Sequence, residues 1–276
     1  MKKMIYKNQE HIFDEKQVEE ILYLSYPILE RTGIVKHAFS TRVGGVSEGI
    51  YSTMNLSYTR GDDANAVREN YRRMASALGV KEDSFVFSVQ THTTNVHKVT
   101  LDNRNEQLKD VDGLITDVPG LCLVTSYADC VPLYFVDPVH RAIGLSHSGW
   151  RGTVGKIGLE TLRKMKEEYG TEAGDVIAAV GPSICQECYE VSEDVIDQFK
   201  EAFECKYWNE LFYQKENKKY QLNLWKANEI ILVEAGVKRE NIAVTNVCTS
   251  CNSDMLYSHR ASKGQRGGLA AFLTLK

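Results

Sequence analysis

Two apolar runs, residues 131–136 and 142–146, separated by the turn dipeptide Asp137-Pro138, constrain this chain of 276 residues more than any other feature. Runs of that length, bounded by such a signal, read as the two strands of a β-hairpin. Both open ends of the hairpin carry chemistry. Asp129, Cys130 and Pro132 stand at its entry in A-D-C-V-P, and His147, Gly149, Trp150 and Arg151 at its exit in H-S-G-W-R-G. An antiparallel return brings His147 back to the neighbourhood of Cys130. A thiol, an imidazole and a fixed cation then share one place.

Elsewhere the pattern predicts helices and strands in imperfect alternation. Asp62 and Asp63 are N-cap residues for a helix in which Val67, Tyr71, Met74 and Leu78 recur at helical spacing and Gly79 supplies the stop. A second helix is expected over 153–169 with Ile157, Leu159, Leu162 and Met165 inward and Gly170 at its end, and others over 193–203 and 224–235. Strands are expected at 34–39, 84–89, 96–99, 121–126, 176–180, 242–247 and 269–275. Hairpins mixed with helices favour an α+β fold, with mixed sheets and helices packed outside them, over a doubly wound parallel sheet. No linker, low-complexity segment or repeat offers a boundary, so residues 1–276 are expected to form a single domain, with 1–33 as an N-terminal extension leading into it.

Charge narrows the partners. A formal net charge of -4 and a pI near 6.0 exclude a broad basic footprint for nucleic acid and leave room for a local pocket that takes a small anion. Residues 1–16 lack the apolar centre of a signal peptide, and the most apolar stretch, 120–136, is interrupted by Asp129. Seven cysteines, an odd number spread along the chain, suit a reducing compartment. A cytoplasmic protein without membrane association is expected, as a monomer or a homodimer.

Three readings of Cys130 and His147 remain open from the residues alone: metal ligands, a nucleophile with its base, or a packed cysteine. His92, in Q-T-H-T-T-N, would complete a His, Cys, His donor set that leaves a fourth tetrahedral position open, as catalytic zinc sites do. Copper suits the same donors. A complete multicopper cluster does not fit, because the chain has 7 histidines and no H-x-H pair. Arg42 and Arg151 are candidate anion contacts, the first beside Gly44 and Gly45, which would let backbone donors approach. Cys185 with Cys188 and Cys248 with Cys251 form two C-x-x-C pairs, but the 60 positions from Cys188 to Cys248 are long for a compact zinc ribbon. Cys122 and Cys205 read as packing residues, and His37 and His97 as satisfying local hydrogen bonds.

Seven ordered motifs, S-T-R-V-G-G-V-S at 40–47, M-N-L at 54–56, D-G-L-I-T at 112–116, A-D-C-V-P, H-S-G-W-R-G, G-P-S-I with C-Y-E-V at 181–191, and S-H-R at 258–260, together resemble the laccase-domain family. That family is also called polyphenol oxidase-like, YfiH-like or peptidoglycan editing factor, and includes purine nucleoside phosphorylases. The resemblance implies a metal, Zn2+ or Cu2+, held by His92, Cys130 and His147; many relatives have Gly where Thr93 follows His92. It also implies phosphorolysis of adenosine, inosine and S-methyl-5'-thioadenosine and deamination of adenosine. Asp129, Cys130, His147 and Arg151 are then the catalytic candidates, and Ser40, Arg42, Asn55 and His259 the substrate-binding ones. Asp129 is either an acid in proton transfer or a residue that orients a ligand or a turn. Rival readings are a cysteine hydrolase acting on a cell-wall precursor, with Cys130 as nucleophile and His147 as base; a copper-dependent polyphenol oxidase; and a binding module without turnover.

Overall fold

The hairpin strands are Val131–Asp137 and Ala142–Ser148, and every residue of both is buried. Successive side chains of a strand point to opposite faces, so a strand buried throughout needs cover on both sides. The structure, a computed structural model that describes residues 3–276, supplies that cover with a second sheet on one face and helices on the other. Tyr134, Val136, Ile143 and Leu145 pack against Phe39, Leu123, Ala271 and Leu273 of the second sheet. Leu133, Phe135 and Ala142 pack against Leu162 and Met165 of the helix Ile157–Tyr169 and against Ile231 of the helix Leu224–Glu234.

The hairpin lies at the centre of a six-stranded sheet, in the order Ile242–Val244, Ile177–Val180, Val131–Asp137, Ala142–Ser148, Gly113–Thr116, Val96–Lys98. The facing sheet has seven strands, in the order Asp14–Val18, Ile21–Ser25, Val35–Ser40, Leu269–Leu275, Cys122–Tyr127, Phe85–Val89, Leu108–Lys109. Its outer face is covered by the helix Ala64–Leu78 through Val67, Tyr71 and Met74. The four layers are therefore helix, sheet, sheet and helix, which is the mixed α+β architecture expected. Tyr134 ties the sheets directly, its hydroxyl donating to the carbonyl of Ala38 at 2.9 Å. Residues 14–25, inside the expected N-terminal extension, add two strands to the edge of the seven-stranded sheet.

Local chemistry accounts for the element ends. Asp63 caps the first helix by accepting from the Asn65 N–H, and Gly79 ends it in the left-handed region at φ +61°. The helix expected over 153–169 is two helices, Trp150–Val154 and Ile157–Tyr169, because Lys156 takes φ +58° between them. That break resets the inward face to Ile157, Thr161, Leu162 and Met165 and turns Leu159, expected inside, out to solvent at 39% exposure. Cys205, expected to pack, is also exposed.

Candidate functional site

Strand register assembles the site. His147 pairs with Pro132 and Ser148 with Val131, so Cys130, one residue beyond the paired strand, lies diagonally from His147 on the same face. On the other side Ser146 pairs with Gly113, which puts Asp112 beside His147, and the His147 N–H donates to the Asp112 carbonyl at 2.7 Å. The Asp112 carboxylate is fully enclosed. Its Oδ1 accepts from His147 Nδ1 at 2.8 Å and from the His92 N–H at 3.0 Å. Its Oδ2 accepts from the Thr91 and Thr93 N–H groups at 3.1 and 2.9 Å and from the Thr93 hydroxyl at 3.0 Å. One carboxylate thus fixes both histidines, through the ring of one and the loop of the other. Thr93 is built into that cradle by its hydroxyl.

With Nδ1 of His147 committed to Asp112, Nε2 is the nitrogen left for the site. The Sγ of Cys130 lies 3.8 Å from Nε2 of His92, and the two imidazole rings are 4.9 Å apart, centroid to centroid. Ligand atoms of His92, Cys130 and His147 all lie within 4.8 Å of one another. Zinc bonds of about 2.3 Å to sulfur and 2.0–2.1 Å to nitrogen imply a sulfur to nitrogen separation of about 3.6 Å in a tetrahedron. His92 is exposed, Cys130 half-buried and His147 buried, so the solvent side supplies the open position. Gly149 fits between the ligands: a Cβ there would stand 2.8 Å from His92 Cδ2 and 3.1 Å from Cys130 Sγ. Both loops at the site carry left-handed non-glycine residues, His92 at φ +66° and Asp129 at φ +87°.

The electrostatics are those of a charged pair over a charged support. Burial pushes the Cys130 thiol up, but the imidazoles of His147 and His92 outweigh it and bring it below its usual range. Burial alone would lower His147, yet the Cys130 thiolate and the Asp112 carboxylate raise it. Asp112 is lowered to about 2: burial opposes ionisation, and the hydrogen bonds from His147, Thr93 and Thr91 overcome it.

The remaining candidates separate into two groups. Asp129 adjoins Cys130, but both its oxygens are engaged, Oδ1 by the Thr249 hydroxyl at 2.6 Å and Oδ2 by the Arg260 N–H at 2.7 Å. Arg151 is exposed, with its guanidinium 4.3 Å over the Trp150 ring, and His259 is exposed as well. Ser40 and Asn55, expected to contact substrate, are both fully enclosed. Ser40 Oγ accepts from the Ala270 N–H, and the Asn55 amide bridges Ser57, Asp62 and Gly268. Arg42 likewise joins loops, donating to the carbonyls of Ser52 and Ser253 and covering Tyr257 at 4.6 Å. Gly44 and Gly45 serve close backbone packing rather than an anion; a Cβ on Gly45 would meet the Thr53 carbonyl oxygen at 2.1 Å.

Two residues beside the candidate site escaped the sequence reading. Asp112 is one. Arg266 is the other: it is half-buried, its Nε has no hydrogen-bond partner among the described residues, and Asp129 and Cys130 act on its charge. Burial and the neighbouring Arg60 lower its pKa to about 10, the mark of a cation held in a positive, partly dry setting. Burial and Arg266 also lower His259. Beside this ground opens a cleft of about 300 Å3, lined among others by Trp150, Tyr189, Glu190 and Arg260. Tyr189 lines the cleft with the Arg260 guanidinium 5.3 Å over its ring, and burial, then the charge of Cys130, pushes its hydroxyl up.

Comparison with known proteins places the chain in a family. A profile of the family described as multi-copper polyphenol oxidoreductase laccase matches residues 36–276. The chain is 36% identical over 245 residues to a protein named purine nucleoside phosphorylase from Bacteroides thetaiotaomicron, covering 86% of this chain and 90% of that one. It is also 36% identical over 233 residues to one named adenosine deaminase RL5 from an unknown prokaryotic organism, covering 81% and 87%. The crystal structure of YlmD from Geobacillus stearothermophilus superposes with a TM-score of 0.89 at 32% identity, over 96% of this chain and 99% of that one.

Proposed function

The chain belongs to the multi-copper polyphenol oxidoreductase laccase family, and from that membership together with the site geometry we propose that it is a zinc-dependent purine nucleoside phosphorylase with an accompanying adenosine deaminase activity. The observation that carries the proposal is the His92, Cys130, His147 set, open on one side and braced by Asp112. Relatives bearing the names of both activities support the substrate class. Adenosine, inosine and S-methyl-5'-thioadenosine are the expected nucleosides, and phosphate the co-substrate.

A metal held by His92, Cys130 and His147 would supply Lewis acidity, toward a water or a substrate atom. The rest falls to the chain. Asp112 holds His147 in the tautomer that presents Nε2. Arg266, with an unpaired Nε, and Arg151 at the rim supply donors for phosphate. Trp150 and Tyr189 offer aromatic faces for the base in the adjoining cleft. Asp129, fixed at both oxygens, acts by holding Thr249 and the Arg260 backbone in place, and the exposed His259 is the candidate contact for the sugar hydroxyls. The test is chromatography of adenosine with the zinc-loaded protein, with and without phosphate, beside Cys130→Ala and His147→Ala. Phosphate-dependent adenine and ribose 1-phosphate, with inosine forming independently and both lost in the variants, is the expected result; no turnover from metal-loaded protein overturns it.

The line Asp112, His147, Cys130 also has the order of an acid, base and thiol nucleophile, which favours a cysteine hydrolase as the second reading. A chelator separates the two. It abolishes the phosphorylase, whereas a cysteine hydrolase survives chelation and is lost on alkylation of Cys130. Copper in the same donors gives the third reading, a polyphenol oxidase whose activity tracks copper loading and not zinc.

A further inference from the structure

Cys185, Cys188, Cys248 and Cys251 lie far apart in the chain, yet their four sulfurs fall within 4.8 Å of one another. The fold explains how. Ile177–Val180 and Ile242–Val244 are adjacent parallel strands, so the loops that follow them leave the same edge of the sheet side by side. Ser183 then bridges to Cys248, and the Thr249 N–H donates to the Ser183 carbonyl. The two C-x-x-C turns are thereby set face to face. We propose that these four cysteines bind a second metal ion, a structural zinc in a closed tetrathiolate site, separate from the His92, Cys130, His147 site.

The geometry and chemistry both fit that ion. Zinc to sulfur bonds of about 2.3 Å place tetrahedral sulfurs about 3.8 Å apart; Cys188 and Cys251 are 3.5 Å apart. Each pair has the two-residue spacing that lets one turn present two sulfurs to one ion. Cys248 Sγ accepts the N–H groups of Cys185 at 3.2 Å and of Cys251 at 3.4 Å, donors that stabilise a thiolate. Four thiolates around a divalent ion leave two negative charges, and the ammonium of Lys7 lies within electrostatic reach of Cys185 and Cys251. Cys185 and Cys248 are buried while Cys188 and Cys251 are half-buried, so the ion is screened but reachable during folding.

The proposed ion ties down the support of the first site. The Ile184 N–H donates to the Asp129 carbonyl from one loop, and Thr249 binds the Asp129 carboxylate from the other. Arg260, whose N–H holds the second carboxylate oxygen, donates through its guanidinium to the carbonyls of Cys188 and Glu190. Asp129, in its left-handed conformation next to Cys130, is thus clamped by both cysteine loops.

Metal analysis tests this independently of activity. Protein expressed with zinc and purified with its thiols reduced is expected to carry two zinc ions per chain. The double variant Cys130→Ser with His147→Gln is expected to keep one, and Cys185→Ser with Cys251→Ser to lose one and melt at a lower temperature. Cobalt loaded into the first double variant is expected to give the intense visible bands and thiolate charge-transfer absorption of a tetrathiolate. A metal-free Cys130→Ser/His147→Gln protein that is folded by circular dichroism overturns the proposal, as do disulfides joining these cysteines in a non-reduced digest of freshly isolated wild type. The phosphorylase assay on wild-type protein is a separate readout, so the two conclusions fail separately.

Discussion

Replacing Asp112 by Asn changes one oxygen to NH2 in a site where every neighbour now donates to the carboxylate. If the NH2 takes the place of Oδ2, it faces the N–H groups of Thr91 and Thr93, and the Thr93 hydroxyl can remain only by accepting from it. If it takes the place of Oδ1, it faces the His92 N–H and His147 Nδ1. His147 can answer that second clash only by moving its proton to Nε2, which removes the nitrogen that faces the metal. Each orientation leaves a buried donor unmatched, at a cost of about 1–3 kcal/mol. Loss of an outer hydrogen-bond partner of a metal-binding histidine typically weakens the metal by about 10–100-fold, equivalent to about 1.4–2.8 kcal/mol. The expected result is therefore a zinc affinity at His92, Cys130 and His147 lowered 10–100-fold by these estimates, read by competition with a chromogenic chelator. The protection of the melting temperature by added zinc should shrink with it. Retention of zinc by the four cysteines provides the internal control. A folded Asp112→Asn protein whose affinity at the first site stays within about threefold of wild type would show that the carboxylate is not what orients the histidines.

Gly149→Ala puts a methyl 2.8 Å from His92 Cδ2 and 3.1 Å from Cys130 Sγ, so it should displace the ligands while leaving the helix Trp150–Val154 intact. Turnover should fall about 100-fold with little change in urea midpoint; equal turnover in the variant refutes the packing argument. Arg266→Gln removes the half-buried cation with the unpaired Nε, and should raise the KM for phosphate roughly tenfold or more while leaving adenosine deamination near wild type; a KM that does not move denies Arg266 its phosphate contact. His37 is buried and accepts from the Tyr26 N–H through Nε2, and burial, then Lys16 and Lys276, lower its pKa to about 3. The unfolded chain takes up that proton near pH 6.5 and the folded one does not, so its contribution is complete above about pH 6.5 and stability falls by about 1.4 kcal/mol per unit as pH drops toward 3. His37→Gln, followed by urea melts between pH 7 and 5, should flatten that slope by about one proton; an unchanged slope would mean another group carries it.

The hairpin was legible because everything that specifies it is local: two apolar runs, a turn, and a period of two that places Cys130 and His147 on one face. Asp137 even supplies its own turn, accepting from the Val139 and His140 N–H groups. Asp112 was not legible, although it opens D-G-L-I-T, because its role arises from a strand pairing, Ser146 with Gly113, between residues distant in sequence. An acid immediately before an apolar strand was the only signal, and it names no partner. Leu159 was misassigned for a related reason. Helical period fixes which residues share a face only once the start of the helix is known, and the left-handed Lys156 moves that start. Ser40, Arg42 and Asn55 illustrate the converse: motif membership marked them, but their polar groups are engaged in holding loops together.

The four cysteines show where spacing rules lose their force. A zinc ribbon needs its two turns near each other in sequence because a hairpin alone must bring them together. Here a parallel pair of strands does that work, and a parallel pair requires a long crossover, which this chain fills with the helices Glu193–Ala202 and Leu224–Glu234. Distance along the chain is then set by the topology of the sheet and says nothing against a shared ion. The same strand edge carries the loops that hold Asp129, so the two sulfur-containing sites are mechanically joined through one aspartate. Loss of zinc from the cysteine loops should consequently weaken metal binding at His92, Cys130 and His147 even though the loops donate no ligand to it. Titration of the first site in Cys185→Ser/Cys251→Ser protein measures that coupling directly, and identical affinity with and without the cysteine pair would show the sites to be independent.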